Sequence, residues 1–166
     1  MISVPLDKKR HDRKRFDCGV KALNNYLQLM ANQQSKRDNT RTFVLEDAKN
    51  STTIIGYYTL TMTSLNLEAL PSQLQKKHQN VNSSGLIARL AVDKKYFKQG
   101  YGEWSLIDSL KKLLLASETV AFPLVIVDSK EGAINFYKHS GFQSFSDIPN
   151  KLFMTIADIR KSSLEM

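Results

Sequence analysis

Two glycines at positions 100 and 102 lie in the stretch YFKQGYGEW, between a hydrophobic segment and an apolar helical pattern. The first turn of a helix leaves several backbone N–H groups without intrahelical partners, and their dipoles attract anions. Because glycine has no Cβ, Gly100 and Gly102 would let the backbone approach a phosphate and adopt positive φ. The stretch lacks the Lys-Ser/Thr pair of a Walker loop and the third glycine of GxGxxG. A phosphate site and a plain strand-to-helix turn are equal interpretations of these residues.

Basic side chains near the N-terminus form a second candidate binding surface. The 166-residue chain has a formal net charge of +8, and residues 1–41 hold ten basic against four acidic side chains, a net +6. Such clustering favours an anionic macromolecule over a merely solvated face. Because KKRHDRKR has no large apolar residues, RNA is favoured over a membrane. The candidate phosphate-binding residues are Lys8, Lys9, Arg10, Arg13, Lys14, Arg15, Lys36, Arg37 and Arg41.

One arginine, Arg89, interrupts the apolar segment GLIARLAVD. Side chains alternate along a strand, so Arg89 would face away from Ala88 and Leu90. A buried arginine needs a partner, either an internal carboxylate or an incoming phosphate. The sequence favours contact with the substrate.

Other residue types that could do chemistry give little signal. Cys18 is the single cysteine and has no Cys or His at metal-ligand spacing, so we expect a structural thiol and no metal site. His11, His78 and His139 are expected to be solvated rather than catalytic. Glu46 lies in a predicted strand, but nothing in the sequence ties it to a site.

Hydrophobic periodicity gives the elements that must position these residues, in the order β, α, β, β, β, α, β, α, β. This order predicts a mixed α/β sheet with helices on it, in a single domain over residues 1–166. No apolar run approaches the ~18 residues needed to span a bilayer, and we expect a cytoplasmic protein. The predicted strands are ISVPL, TRTFVLE, TTIIGYYTLTMTSL, GLIARLAVD, VAFPLVIVD and KLFMTIAD, and the predicted helices are residues 19–38, residues 102–116 and SKEGAINFYKHSGF.

Capping and amphipathic patterns refine two of these helices. Ser129 is expected to cap the beginning of the last helix, and Gly141 to adopt a left-handed conformation after its end. The first helix is expected to lie on a surface with a narrow apolar face. The residues of that face are Val20, Leu23, Leu27 and Met30.

The segments IARLAVDKKYFKQGYG and INFYKHSGF, with the long helix between them, resemble the GNAT superfamily of acetyl-CoA-dependent N-acetyltransferases. The opening FDCGVKALNNYL is similar to bacterial GNAT toxins of toxin-antitoxin modules, which acetylate the amino group of aminoacyl-tRNA and stop translation. The resemblance runs from Phe16 to about Ile156. It implies the GNAT fold, a central mixed β-sheet with a splayed strand pair flanked by helices.

The resemblance also implies a site for acetyl-CoA as co-substrate. Pantetheine would lie along the GLIARLAVD strand as a neighbouring strand does, and the glycine loop would bind the diphosphate. Tyr137 would supply a proton to the departing thiol, whose pKa is ~8.5. Its ring could also simply pack the helix onto the sheet. The implied cofactor-binding residues are Ala91, Val92, Lys98, Gln99, Gly100, Tyr101, Gly102, Glu103 and Asn135.

The loop departs from the superfamily pattern Q/R-x-x-G-x-G/A at its first position, which is Phe97 here. Phenylalanine offers the diphosphate no side-chain donor, so backbone N–H groups and Lys98 would carry more of the binding. The carboxylate of Glu103 is unfavourable near phosphates unless it points away.

The acceptor predicted from the resemblance is aminoacyl-tRNA, with a ribbon-helix-helix antitoxin and a homodimer as implied partners. An α-amino group has a pKa near ~8, against ~10.4 for lysine, so the lack of an obvious catalytic base is compatible with this acceptor. Two alternatives stay open: acetylation of a small amine or protein N-terminus, and a non-catalytic RNA-binding module with the same fold.

Overall fold

The structure, a computed structural model, describes residues 2–130 and 132–165. In that part of the chain seven strands form one mixed, hydrogen-bonded sheet, which confirms the predicted α/β class. The strands are β1 (Ser3–Pro5), β2 (Arg41–Asp47), β3 (Asn50–Ser64), β4 (Ser83–Val92), β5 (Leu124–Asp128), β6 (Gln143–Ser144) and β7 (Lys151–Thr155). The helices are α1 (Lys21–Asn25), α2 (Ala31–Lys36), α3 (Ser72–Lys77), α4 (Tyr101–Thr119), α5 (Ile134–His139) and α6 (Ile156–Glu165), with a π-helical turn at Tyr26–Met30 and 3₁₀ turns at Leu67–Ala69 and Lys94–Tyr96.

The strand order in the sheet is β1-β2-β3-β4-β5-β7-β6. The chain divides into two compact units, one formed by the chain up to Thr61 with Ala88–Ser109, the other by Met62–Ile87 with the chain from Leu110 onwards. The single domain over residues 1–166 stays a prediction. Among the described residues, no helix combines the length and the apolar character that crossing a membrane requires.

The first unit is built on the antiparallel strands β1, β2 and β3. Its core packs Phe16 edge-to-face on Tyr57, with ring centres 5.5 Å apart. The buried Tyr57 hydroxyl donates to the Leu23 carbonyl oxygen at 2.7 Å. This bond ties α1 to β3 without leaving a buried hydroxyl unsatisfied.

The first predicted helix is interrupted by the π-helical turn at Tyr26–Met30. Val20 and Met30, which we expected on its apolar face, are 40% and 47% exposed, so that prediction is wrong for both. Val20 precedes the helix as its N-cap. A π turn takes up more residues than an α turn, which moves the later side chains around the axis. Ala31 is therefore buried in place of Met30, while Leu27 is buried as predicted.

The second unit contains the β5, β6 and β7 strands. β5 pairs antiparallel with β7, from Leu124↔Thr155 to Asp128↔Lys151. The buried side chains Leu124, Ile126 and Phe153 form its core with Phe145. These apolar side chains agree with the predicted interior strands VAFPLVIVD and KLFMTIAD, except that β5 begins only at Leu124 and Val120 is 70% exposed.

The chain after β7 differs from the prediction. Ile156 was expected in the last strand, but it begins α6. Ile156 and Ile159 are both buried and stand three residues apart, which is helical spacing.

The beginning of α5 also differs from the prediction. Ala133 rather than Ser129 occupies its N-cap position, and the Ser129 hydroxyl instead donates to the carbonyl of the next residue. The predicted left-handed conformation of Gly141 is confirmed by its φ of 106°. Glu131, within the predicted helical segment, lies outside the described residues.

Gly56 in β3 provides a test of the packing between β3 and β4. A Cβ at this position would lie 2.8 Å from the carbonyl oxygen of Ala91, a backbone atom that cannot move aside alone. We expect Gly56→Ala to lower the free energy of unfolding by about 1–3 kcal/mol, measured by urea denaturation. Without the clash, Gly56→Ala would raise the free energy of unfolding by about 0.4–1 kcal/mol, because alanine reduces the conformational entropy of the unfolded chain. A stabilised variant would therefore contradict this packing.

Candidate functional site

The loop at residues 97–100 connects the 3₁₀ turn after β4 to the beginning of α4. Lys98 and Gly100 have left-handed φ values of 62° and 84°. The first hydrogen bond into the helix runs from the Trp104 N–H to the Gly100 carbonyl oxygen at 3.0 Å. The N–H groups of residues 98–103 donate to no atom of the described chain. The junction therefore presents a row of free donors, which is the property that binds diphosphates.

The positive φ predicted for both glycines of this loop is found at only one of them. Gly100 has positive φ as expected, but Gly102 does not, because α4 begins at Tyr101 and Gly102 lies in its first turn. Lys98 takes the second left-handed position instead. A Cβ on Gly100 would meet no atom within 4 Å, so open space faces this glycine. Glu103 is exposed, so its carboxylate can point into solvent.

A hydrogen-bond network around the buried Asp93 fixes the turn that precedes the loop. Asp93, 5% exposed, accepts hydrogen bonds from the N–H groups of Lys95 at 2.9 Å and Asp17 at 3.0 Å. The Asp17 carboxylate binds Lys94 at 3.0 Å and Asn24 at 2.9 Å. Hydrogen bonds to this carboxylate, led by that of Lys94, lower the pKa of Asp17 to about 2. The opening motif that carried the resemblance to the toxins therefore has a structural role here, which its sequence alone did not indicate.

Of the two β4 residues predicted to bond pantetheine through their backbone, Ala91 and Val92, only Val92 has backbone groups that face away from β3. The Ala91 carbonyl oxygen lies against Gly56, and the Asp93 N–H donates to a β3 carbonyl at 2.8 Å, so residues 91 and 93 turn their backbone groups to β3. Alternation along the strand turns those of Val92 to the other side. There the parallel pairs with β5 cover Gly85–Ile87 and stop. Val92 is thus placed to bond an extended ligand, whereas Ala91 is engaged within the sheet.

Tyr137 lies in α5 with a buried ring and a proton-bearing hydroxyl. The ring is 5.1 Å from Phe136 and 5.6 Å from Phe142, centre to centre. Burial raises the pKa of Tyr137 to about 12. Its hydroxyl makes no hydrogen bond with any residue that the structure describes. The ring therefore packs as a core residue would, while the hydroxyl keeps its proton at neutral pH. Asn135, in the same helix, is exposed.

The basic surface, defined as Lys8, Lys9, Arg13 and Lys36, joins two segments that are distant in sequence. Lys36 lies beside Lys8 and is the main cause that lowers the pKa of Lys8, with Arg13 and Lys9 adding to the effect. Like charges so close repel each other, so a bound polyanion would relieve the repulsion.

Three of the predicted phosphate-binding arginines already bind carboxylates. These pairs are at the surface, where each contributes little to stability and can be exchanged for a phosphate. Lys14 and Arg37 are exposed. The pairs are Arg10 with Glu46, Arg15 with Asp12 at 3.3 Å, and Arg41 with Asp38 at 2.6 Å.

His11 was expected to be solvated, and that prediction is wrong. Its side chain is buried, its Nδ1 accepts the Asp7 N–H at 2.9 Å, and its Nε2 lies 2.7 Å from Glu46. Because Nδ1 accepts a hydrogen bond, the ring proton is on Nε2 and is donated to Glu46. His11 therefore anchors the basic N-terminal segment to β2. His139 is exposed, as predicted, and His78 is half-buried.

Arg89 has a partner that the sequence prediction did not consider. Its guanidinium carbon lies 3.5 Å from the ring centre of Tyr26, a cation–π contact. Tyr26 is buried, and its hydroxyl lies 3.1 Å from the Thr40 hydroxyl. The aromatic face stabilises the cation but occupies none of its N–H donors, so substrate contact by Arg89 stays a prediction.

Cys18 has the environment of a structural thiol. It is buried, and burial raises the pKa of the thiol, which disfavours the nucleophilic thiolate. Within the described residues, no group of three or more His, Cys, Asp or Glu side chains is arranged to hold a metal ion.

Comparison with known proteins identifies the family. The profile of the acetyltransferase (GNAT) family matches residues 13–142. A relative described as probable toxin TacT, from Sinorhizobium fredii (strain NBRC 101917 / NGR234), is 30% identical and aligns over 96% of this chain and 93% of its own. The structure of AtaT complexed with acetyl-methionyl-tRNAfMet is 29% identical, with a TM-score of 0.90 and 98% of both chains covered.

A second solved structure is similar over nearly the whole chain. It is a Tyr-to-Phe variant of the AtaT toxin bound to the C-terminus of the antitoxin AtaR and acetyl-CoA. It is 25% identical, with a TM-score of 0.82, and the match covers 98% of this chain and 97% of that one. The predicted superfamily is confirmed: this chain belongs to the acetyltransferase (GNAT) family.

Proposed function

We propose that this protein is the toxin of a type II toxin-antitoxin system, which transfers the acetyl group of acetyl-CoA to the α-amino group of aminoacyl-tRNA and so blocks translation. The observation that carries the proposal is the likeness, over 98% of the chain, to a toxin complexed with acetyl-methionyl-tRNAfMet. Membership of the acetyltransferase family and the basic surface at Lys8 and Lys36 support it independently.

The loop at residues 97–100 carries the groups that would hold the diphosphate of acetyl-CoA. The free N–H groups of residues 98–103 match a diphosphate, and the Lys98 ammonium adds positive charge. Val92 offers backbone groups to the extended pantetheine arm, and Asn135 offers an exposed amide. When bound, acetyl-CoA supplies an acetyl group activated as a thioester.

Tyr137 is the proposed proton donor. As the amine nitrogen bonds to the acetyl carbon, the carbon–sulfur bond breaks, and the sulfur takes up a proton. The Tyr137 hydroxyl is protonated at neutral pH, because burial raises its pKa to about 12, so it holds a proton for the departing sulfur. The same shift makes the phenol a weaker acid than the thiol, so the transfer is completed only when the phenolate is re-protonated. The attacking amine releases its own proton to solvent, which re-protonates the phenolate.

A strong base is not required for an aminoacyl acceptor, since an α-amino group has a pKa of only ~8. Glu46 is already engaged by Arg10 and His11, which makes it unsuited to accept the amine proton. The basic surface would bind tRNA phosphates, with Lys14, Arg37 and Arg89 contributing further cations.

The partners follow from the same proposal. We propose that a ribbon-helix-helix antitoxin masks the toxin, that the toxin is a homodimer, and that it acts in the cytoplasm. An antitoxin C-terminus bound to a similar toxin supports the first of these.

The deciding experiment supplies labelled acetyl-CoA with three acceptors in turn: a pool of charged tRNA, the same pool deacylated, and small amines or N-terminal peptides. We expect label on the charged pool alone, and the acetylated aminoacyl group then identifies the substrate. Label on amines or peptides with none on charged tRNA would favour the broader N-acetyltransferase alternative.

The non-catalytic alternative has its own test. Acetyl-CoA should stabilise an enzyme against thermal unfolding by RT ln(1 + [L]/Kd). A thermal midpoint that does not respond to saturating acetyl-CoA, together with tRNA binding, would favour an RNA-binding module.

A further inference from the structure

The two residues that flank the loop at residues 97–100 are held from outside it. Tyr96, which ends the preceding 3₁₀ turn, donates its hydroxyl hydrogen to Asp47 at 2.6 Å. Tyr101, which begins α4, meets Tyr96 edge-to-face, with ring centres 6.0 Å apart and planes at 85°. Both ends of the loop are therefore connected to each other and to the end of β2.

The end of β2 is shaped for this contact. Register shifts occur between Leu45 and Glu46 and again between Glu46 and Asp47. Such irregularities re-aim side chains that a regular strand would fix on alternating faces. Glu46 binds Arg10 and His11, while the adjacent Asp47 binds Tyr96.

The hydrogen bond has the character of a charge-assisted one. Tyr96 lowers the pKa of Asp47, and Asp47 is the main cause that raises the pKa of Tyr96 to about 12. The carboxylate is thus ionised and the phenol protonated at neutral pH, which is the strong form of this pair.

The loop itself has little to hold its shape. Lys98 is a non-glycine residue with left-handed φ, a conformation that costs about 1–2 kcal/mol. Phe97, Lys98 and Gln99 are exposed, and no N–H from residue 98 to residue 103 is bonded within the described chain. The conformation must therefore be imposed through its two ends.

We propose that Asp47, Tyr96 and Tyr101 form a clasp that presets this loop for the diphosphate of acetyl-CoA. The three are positioning residues, because they act through the loop backbone. The inference rests on the proposed function, which assigns the diphosphate to this loop. A loop that already has its bound conformation loses less conformational entropy on binding, and the smaller entropy cost appears as a lower dissociation constant.

Tyr96→Phe tests the clasp, because it removes one hydroxyl and keeps the ring contact with Tyr101. We expect the acetyl-CoA dissociation constant, measured by calorimetry, to rise about fivefold, which corresponds to about 1 kcal/mol. The rate constant at saturating acetyl-CoA should stay within about twofold, since the positioned complex reacts as before.

A double-mutant cycle with Asp47→Ala identifies the partner. Each single variant removes the same hydrogen bond, so the double variant should bind acetyl-CoA about as weakly as either single one. Asp47→Asn keeps an acceptor oxygen and should restore part of the affinity.

Tyr57→Phe is the matched control. It also removes a tyrosyl hydrogen bond, the one to Leu23 at 2.7 Å, which ties α1 to β3 and involves no residue of the loop. We expect a lower thermal midpoint and an unchanged dissociation constant. Tyr96→Phe also removes a hydrogen bond and should lower the midpoint without ligand, but unlike Tyr57→Phe it should raise the dissociation constant and reduce the midpoint shift on adding acetyl-CoA.

The outcomes separate this inference from the proposed function. Wild-type affinity in Tyr96→Phe, or an equal loss in Tyr57→Phe, would overturn the clasp and leave acetyl-CoA binding intact. Wild-type protein that binds no acetyl-CoA would overturn both.

Discussion

Tyr137→Phe is expected to slow acetyl transfer by about 10²-fold or more while the acetyl-CoA dissociation constant stays unchanged. The substitution removes only the hydroxyl, the proposed source of the proton for the departing sulfur. The rings of Phe136 and Phe142 would keep their contacts with the phenyl ring that remains. The measurement is a single-turnover rate with labelled acetyl-CoA and charged tRNA, so that product release does not hide the chemical step.

Two further readouts distinguish proton donation from a packing role. Because the hydroxyl makes no hydrogen bond within the described chain, its loss should leave the thermal midpoint unchanged. The wild-type rate should rise with pH as the α-amino group loses its proton near pH ~8. The rate should then show no decrease up to pH ~10, since the pKa of Tyr137 is raised to about 12 and its hydroxyl stays protonated over that range. A variant as fast as wild type in single turnover would remove Tyr137 from the mechanism.

Replacing Lys8 and Lys36 together with alanine is expected to weaken tRNA binding strongly. If roughly six cations contact phosphates, wild-type affinity should fall by about 10³-fold between 50 and 200 mM salt. The double variant should bind more weakly at low salt, and the slope of log affinity against log salt should decrease by about two. Filter binding over a salt series measures both quantities.

Lys111→Ala with Lys161→Ala is the charge-matched control, because both lysines are exposed and lie outside the basic surface. It should leave the salt slope near the wild-type value. The Lys8/Lys36 variant should be no less stable than wild type, since it removes a repulsion rather than an attraction. An affinity that does not respond to salt, or an equal loss in the control, would show that tRNA binds elsewhere.

Local sequence predicted most of the strands and helices and the left-handed turn of the loop. The apolar density of GLIARLAVD and VAFPLVIVD predicted β4 and β5 as interior strands; β5 is buried on both faces, whereas one face of β4 is only half-buried. Gly100 was predicted in a left-handed conformation, and it has one. The thiol of Cys18 was predicted to be structural from its isolation in sequence, and its burial agrees. Each of these depends on neighbours within a few residues.

Tertiary structure alone decided which side chains meet. His11 and Glu46 are 35 residues apart, and Tyr96 and Asp47 are 49 apart, so no periodicity could pair them. The π-helical turn moved burial from Met30 to Ala31, a change that an α-helical period cannot express. Which distant residues meet depends on how strands and helices pack together. Because the packing energy is a sum over the whole fold, a short stretch of sequence does not contain it. Sequence thus determined the donors and the order of the elements, whereas the fold decided where His11, Asp47 and Lys36 would act.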